Sequence, residues 1–123
     1  MDKMISASVT TLAKAIRDRR VSSEEVVDAC LRRVKVVNPQ LNVVVQEVAD
    51  AAREQARAAD AALARGELMG PLHGIPMTIK DTLDTAGVIS TAGTQGRAAF
   101  VPMEDAIAVA RMRSAGGINE RRL

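Results

Sequence analysis

The first half of the chain carries apolar residues at the spacing of α-helices. A short helix is predicted over residues 9–20 and a long, alanine-rich helix over residues 47–65, closed by Gly66. The apolar face of the first helix is formed by Leu12, Ala13 and Ile16. The inward-facing positions of the second are Val48, Ala52, Ala59 and Leu63.

A third helix is predicted between these two by signals at both of its ends. Ser22 and Glu25 stand three residues apart, which is the spacing of a capping box. Pro39 predicts that the helix ends at Asn38, because the residue before a proline is pushed out of the α conformation. The apolar positions between Glu25 and Asn38 are Val26, Val27, Cys30, Leu31, Val34 and Val37. The β-branched run 43–45 then predicts a brief strand.

From Gly70 onward the pattern changes from helical to extended. Apolar and polar residues alternate over 75–80, which predicts a strand, and residues 88–91 are a second extended segment. Pro102 precedes another predicted helix, in which Asp105 serves as the N-cap or as a first-turn acid.

The end of the chain breaks this pattern. Gly116 and Gly117 stop the helix, and Ile118 has the character of the first residue of a strand. The polar residues 119–122 then cancel the strand pattern, so an aborted strand is predicted.

These elements predict an α/β fold, because strands alternate with helices in the second half of the chain. Residues 1–123 are interpreted as the N-terminal part of one domain. Within it, residues 1–69 form a helical arm and residues 70–123 form the start of a sheet core.

Charge and composition exclude several classes of function. The chain has 17 basic and 15 acidic residues, a net charge of +2, one phenylalanine and no tyrosine or tryptophan. Balanced charge without aromatic stacking platforms argues against nucleic-acid binding. No stretch reaches the ~18 apolar residues of a membrane span, and residues 1–4 lack a signal-peptide pattern. A cytoplasmic location without membrane association is therefore expected.

Three groups of residues suggest chemistry that the sequence does not support further. Cys30 and His73 could form a nucleophile–base pair, but Cys30 lies in an apolar stripe and His73 beside a glycine, which favours a buried apolar residue and a turn residue. Asp81 and Asp84 could pair as acid and base, although turn and cap roles are favoured. Residues 93–96 lack the Gly-Lys-Ser/Thr ending of a phosphate loop.

In residues 70–96, Gly74-Ile75-Pro76 is followed by three strand residues and then by Lys80-Asp81. In this pattern the segment resembles the amidase signature family. The resemblance extends over residues 9–117, and the block from Gly74 to Asp81 is its specific part. The other matching positions are Ser22-Ser23-Glu24-Glu25, Arg33, Asn38-Pro39, Leu41-Asn42, Asp84-Thr85-Ala86-Gly87, Thr91-Ala92-Gly93-Thr94, Phe100-Val101-Pro102 and Asp105-Ala106.

The resemblance implies a hydrolase that cleaves small-molecule carboxylic amides with a nucleophilic serine, a second serine in a cis peptide and a lysine. Lys80 matches the catalytic lysine, and no cofactor or metal is implied. A lysine acts as a base only when it is neutral, and burial favours the neutral form. The strand and its sheet are expected to bury Lys80; the alternative is a solvated lysine at a strand end.

The chain departs from the family pattern after Gly117. The family continues into an apolar strand and later a Gly/Ser-rich segment with both serines, whereas Ser90 and Ser114 lack that context. A fragment that is inactive alone is therefore expected. The alternatives are a non-catalytic module that completes or binds another chain, and the glutamine-hydrolysing subunit of a tRNA-dependent amidotransferase. Self-association through the N-terminal helices is left open.

Overall fold

The computed structural model describes residues 3–123, apart from the side chain of Arg121. Residues 1 and 2, which begin the segment without a signal-peptide pattern, lie outside this range. The described residues form α1 (Lys3–Ser6), α2 (Val9–Arg17), α3 (Ser23–Leu41), β1 (Gln46–Glu47), α4 (Ala49–Ala64), β2 (Pro76–Ile79), a 3-10 helix (Gln95–Arg97), α5 (Ile107–Ser114) and β3 (Ile118–Arg122).

The start of α3 confirms the predicted capping box. The hydroxyl of Ser22 accepts a hydrogen bond from the Glu25 amide at 3.1 Å, and the Glu25 carboxylate accepts one from the Ser22 amide at 2.8 Å. The hydrogen bond from the Ser22 amide, with a further contribution from the Ser22 side chain, lowers the pKa of Glu25 from its ordinary value, because both favour the charged carboxylate. The helix start was predictable because both hydrogen bonds of the capping box join residues three positions apart.

The predicted end of α3 at Asn38 is wrong, since Pro39 lies inside the helix, which continues to Leu41. The Asn38 side chain stabilises the chain reversal that follows. Its oxygen accepts from the amides of Val43 and Val44 at 3.0 and 2.9 Å, and its nitrogen donates to the Val44 carbonyl at 3.1 Å. This reversal occupies the position of the strand predicted at 43–45, and β1 begins only at Gln46.

The three strands form a mixed sheet in the order β1-β3-β2, which confirms the α/β prediction. β3 is central, antiparallel to β1 and parallel to β2. The strand predicted to abort at Asn119 therefore runs on to Arg122. Backbone pairing on both sides of β3 outweighs the polar character of its side chains, which the alternation pattern could not reveal.

The segment between β2 and α5 is a loop rather than the predicted strand at 88–91. Its turns are closed by hydrogen bonds such as that from the Ser90 amide to the Phe100 carbonyl at 2.9 Å. Asp105 does not cap α5, whose N-cap is Ala106. Its carboxylate instead accepts from the Ala86 amide at 2.7 Å and from Arg113 at 3.0 Å, which ties the loop to the helix.

The core lies between the helices and one face of the sheet and is built from small side chains. One cluster joins α3, α4 and β3; its members are Val27, Leu31, Ala52, Ala56 and Ile118. A second joins α2, α3 and the residue before β2; its members are Ala13, Ile16, Val26 and Ile75. The sheet thus draws β1 from the helical half of the chain and β2 and β3 from the other half.

Candidate active site around Lys80

Lys80 directly follows β2, and its main chain is held on both sides. The Ile79 carbonyl accepts from the Leu123 amide at 3.0 Å, and the Asp81 amide donates to the Leu123 carbonyl at 2.8 Å. The Lys80 carbonyl accepts from the Leu83 amide at 2.9 Å, which closes a turn. The position of Lys80 is therefore fixed by its neighbours in the chain and by the end of β3.

The side chain of Lys80 is exposed, so the expected burial is wrong for this arrangement of residues 3–123. β2 is an edge strand of the described sheet and is paired with β3 on one side only. A lysine at the end of such a strand keeps its contact with water. The desolvation that a basic lysine requires is therefore not supplied by residues 3–123 themselves.

Asp81, the residue after Lys80, anchors the following loop. Its carboxylate accepts from the Thr91 amide at 3.0 Å and from the Thr91 hydroxyl, and it lies 3.5 Å from the guanidinium of Arg122. Burial acts to raise the pKa of Asp81, but the hydrogen bonds from Thr91 and the charge of Arg122 outweigh it and leave the pKa below its ordinary value. Asp81 is therefore an ionised structural anchor.

Asp84 has a different set of partners from Asp81. Its carboxylate accepts from Arg97 at 3.0 Å, and its carbonyl accepts from the Ala106 amide at 2.8 Å. Arg97 in turn lies over the ring of Phe100, 4.4 Å from its centroid. The two carboxylates have different hydrogen-bond partners, which favours the turn and cap interpretation over an acid–base pair.

Arg122 is the residue at this site that the sequence did not predict. Its guanidinium is fully buried and reaches into the loop between β2 and α5. It donates to the hydroxyls of Thr85 and Ser90, the latter at 2.9 Å, and to the Leu83 carbonyl at 2.6 Å. The polar residues 119–122 give no strand pattern, so the sequence does not predict where Arg122 lies. The hydroxyl residues in the loop are the signal that could have indicated its contact there.

Ser90 is committed to this loop rather than to Lys80. It is fully buried, and its hydroxyl donates to the Val88 carbonyl at 3.1 Å while it accepts from Arg122 and from the Thr85 amide. A hydroxyl with these partners is occupied by structure. This agrees with the sequence interpretation, which gave Ser90 no catalytic role.

The Gly-Ile-Pro block is fixed by a contact with the start of α3. The Ser23 hydroxyl donates to the Gly74 carbonyl at 2.6 Å. Gly74 has a φ of +74°, and a Cβ at this position would lie 2.9 Å from the Ser23 side chain. The Asp60 carboxylate of α4 holds the same helix start by accepting from the Ser23 and Glu24 amides at 2.7 and 3.1 Å. Two separate stretches of the resemblance thus meet in space.

His73 lies in a turn, as predicted, and its side chain is buried. Its Nδ1 accepts from the Met69 amide at 3.0 Å, so its Nε2 donates to the Ala59 carbonyl at 2.8 Å. Both ring nitrogens are used by the backbone, which leaves neither for Cys30. Cys30 lines a different place, a cavity of about 320 Å³ between α1, α3 and the strand ends. Among the described residues, no group of three His, Cys, Asp or Glu side chains is arranged to hold a metal ion.

The helices give no indication of a membrane span. Within residues 3–123, none of them combines the length and the apolar character needed to cross a bilayer.

Comparisons with known proteins agree with this geometry. The chain is 40% identical over 107 residues to one subunit of the glutamyl-tRNA(Gln) amidotransferase of Moorella thermoacetica, a match that covers 87% of this chain and 22% of that protein. It is 39% identical over 117 residues to the putative amidase AmiD of Mycobacterium bovis, covering 95% of this chain and 25% of that protein.

A solved structure shares the fold as well. The peptide amidase of Stenotrophomonas maltophilia superposes with a TM-score of 0.88 at 30% identity, over 94% of this chain and 24% of that one. The chain therefore spans about a quarter of the length of the proteins it matches. The sequence model of the Amidase family matches residues 25–119, which include β2, Lys80 and α5. The chain belongs to the amidase family.

Proposed function

We propose that Lys80 is the general base of a carboxylic amide hydrolase, to which residues 1–123 contribute the base and its support. The observation that carries the proposal is the position of Lys80, directly after β2 and the Gly-Ile-Pro block, inside the family match. In the mechanism that the resemblance implies, the neutral lysine takes a proton from a bridging serine. That serine takes one from the nucleophilic serine, which attacks the amide carbonyl.

The exposure of Lys80 determines what else this mechanism requires. A general base has to be a neutral amine, and burial favours the neutral form, so the mechanism requires a covering part, from this protein or from another chain, over the free edge of β2. The bridging serine, the nucleophile and the oxyanion donors would come from the same covering part. The 123 residues by themselves are therefore expected to show no amide hydrolysis above background.

A chimeric enzyme tests the proposal. Residues 9–117 replace the matching segment of the Stenotrophomonas maltophilia peptide amidase, and release of ammonia from a peptide amide is measured. We expect an active chimera that loses at least about 100-fold in rate on Lys80→Ala, the contribution typical of a general base. Lys35→Ala, which removes an exposed lysine of α3, is the matched control and should leave the rate unchanged. A Lys80→Ala chimera as active as the control would refute the proposal.

The substrate class has a second candidate, the amide of glutamine. Its support is the name of the Moorella thermoacetica relative, whose identity to this chain differs by one percentage point from that of the putative amidase. Identity at this level does not separate the two substrate classes. Residues 9–117 are therefore placed in parallel into the Moorella thermoacetica protein, assayed with glutamine, and into the peptide amidase, assayed with a peptide amide. The substrate class is favoured whose chimera keeps the larger fraction of its parent's rate.

A third candidate is a non-catalytic module that completes or binds another chain. It is favoured by the open edge of β2, which has a neighbouring strand on one side only in the described sheet. The test mixes the 123-residue chain with the remaining part of the peptide amidase as a separate polypeptide. Formation of a complex without any amide hydrolysis would favour the module over the hydrolase. A cytoplasmic location stays a prediction, and self-association stays open.

A further inference from the structure

The guanidinium of Arg122 is enclosed by a loop that lies far from it in sequence. Its hydrogen-bond acceptors are separated from it by 32 to 41 positions and include the carbonyls of Asp81 and Leu83 and the hydroxyls of Thr85 and Ser90. Its side chain has no exposed area. Arg122, in the central strand, thus forms hydrogen bonds with several residues of the segment that follows Lys80.

A counter-charge to this arginine lies at the same place, since the Asp81 carboxylate is 3.5 Å from the guanidinium. Burial is the strongest influence on Arg122 and lowers its pKa, while Asp81 acts in the opposite direction. Loss of Asp81 or of the oxygen acceptors would therefore leave a buried charge with less to offset its desolvation. The planar fork of arginine reaches several acceptors at once, which a lysine ammonium at this position would not reproduce.

The connection to Lys80 runs through Asp81. The Asp81 carbonyl accepts from Arg122 at 3.3 Å and from the Ala92 amide at 3.2 Å, and its carboxylate holds Thr91. Leu123, next to Arg122, pairs with the amide of Asp81 and the carbonyl of Ile79. The residues on both sides of Lys80 are therefore held by Arg122 and Leu123 together.

We propose that Arg122 is a positioning residue for Lys80, which locks the 81–92 loop against β3 and so fixes the direction in which Lys80 leaves the sheet. The significance of this for catalysis rests on the proposed function of Lys80. The lock itself is a property of the 123-residue chain and requires no turnover to be observed.

Hydrogen exchange measured by NMR on the intact chain tests the lock. In Arg122→Gln, the amides of Thr91 and Ala92, which donate to Asp81, should exchange about 10- to 100-fold faster, as expected when hydrogen bonds to a charged group are lost. The amides of Val26 and Ala52, inside α3 and α4, should keep their exchange rates. The backbone order parameter of Lys80 should fall together with the loop protection.

Two further variants separate positioning from general stabilisation. Arg111→Gln removes an exposed arginine of α5 and should change none of these rates. Ser90→Ala keeps Arg122 but removes one acceptor, so a smaller increase confined to the same loop amides is expected. If Arg122→Gln does not fold, the exchange rates of the loop amides in Ser90→Ala test the proposal instead.

Unchanged exchange at Thr91 and Ala92, or an equal increase at Val26 and Ala52, would overturn the proposal. Since no measurement involves amide hydrolysis, failure of the lock leaves the role of Lys80 untouched. Conversely, a chimera that carries Lys80 and does not hydrolyse its substrate would not bear on the contacts of Arg122.

Discussion

The Ser23 hydroxyl donates a 2.6 Å hydrogen bond to the carbonyl of Gly74, which joins the start of α3 to the turn that leads into β2. This contact brings the capping-box segment and the Gly-Ile-Pro block together, although 51 positions separate them. The close approach leaves no space for a side chain at Gly74. The glycine of the block is therefore required by packing against α3 as well as by its backbone conformation.

Gly74→Ala is predicted to destabilise the fold by more than its backbone strain alone. Gly87 provides the matched control, because its φ of +75° is almost the same as the +74° of Gly74 but no atom lies within 4 Å of a Cβ built there. Gly87→Ala should lower the free energy of unfolding by about 1–2 kcal/mol, the strain of a left-handed alanine. Gly74→Ala should lower it by a further ~1–3 kcal/mol from overpacking. If urea denaturation shows the same loss of unfolding free energy for both variants, the contact with Ser23 does not affect the stability at Gly74.

The cap of α3 is predicted to depend on both Ser22 and pH. In a peptide of residues 21–42, Ser22→Ala should reduce helicity by an amount equivalent to about 0.5–2 kcal/mol. The pKa of Glu25 is lowered in the helix, so its contribution is complete above its ordinary pKa and is lost as the pH falls through the lowered value. Circular dichroism between neutral and acidic pH measures both effects. A Ser22→Ala peptide with unchanged helicity would mean that another residue caps the helix.

Stability should fall in acid because of Asp81. Its pKa in the folded chain lies below the ordinary value of 3.8, so the ionised carboxylate stabilises the fold above that value. This contribution is lost as the pH drops through the lowered folded pKa. Urea denaturation of Asp81→Asn should show lower stability at neutral pH and a smaller loss on acidification. Asp50→Asn, at an exposed position, is the control; an identical pH dependence in both variants would contradict the assignment.

The intact chain is predicted to be of low stability. Its core relies on alanine and valine, while apolar side chains stay exposed near the end of α3 and before β1, namely Val36, Leu41, Val43 and Val45. We expect a free energy of unfolding at or below about 5 kcal/mol, the low end for native domains. Thermal unfolding followed by circular dichroism should be broad. A sharp transition with strong amide protection across β2 would show that the chain is more stable than its core suggests.

The sequence predicted the elements whose signals are local and missed those decided by distant contacts. The cap at Ser22 and the strand that leads to Lys80 follow from neighbouring residues and alternation. The helix end predicted from Pro39 is an exception, since the side chain of Asn38 holds the reversal after the helix over only five and six positions. The continuation of β3 could not be seen from residues 119–122, since Arg122 is stabilised by acceptors at least 32 positions away.

The proposed chemistry depends on the burial of Lys80. Residues 3–123 do not provide that burial. A strand pattern identifies the alternation of faces but not how many neighbours the strand acquires. In the described sheet β2 has one neighbour, and the lysine at its end stays exposed. The catalytic hypothesis therefore concerns this chain together with whatever covers that edge.

The most direct measurement compares Lys80 with Lys80→Arg in the peptide-amidase chimera. Arginine keeps the charge and much of the reach of lysine but stays protonated in proteins, so it cannot accept a proton. If Lys80 is the general base, Lys80→Arg should lose at least about 100-fold in the rate of amide hydrolysis while circular dichroism shows an intact fold. A Lys80→Arg chimera that hydrolyses the amide within about tenfold of the Lys80 form would contradict the account, because a permanently charged residue would then be sufficient.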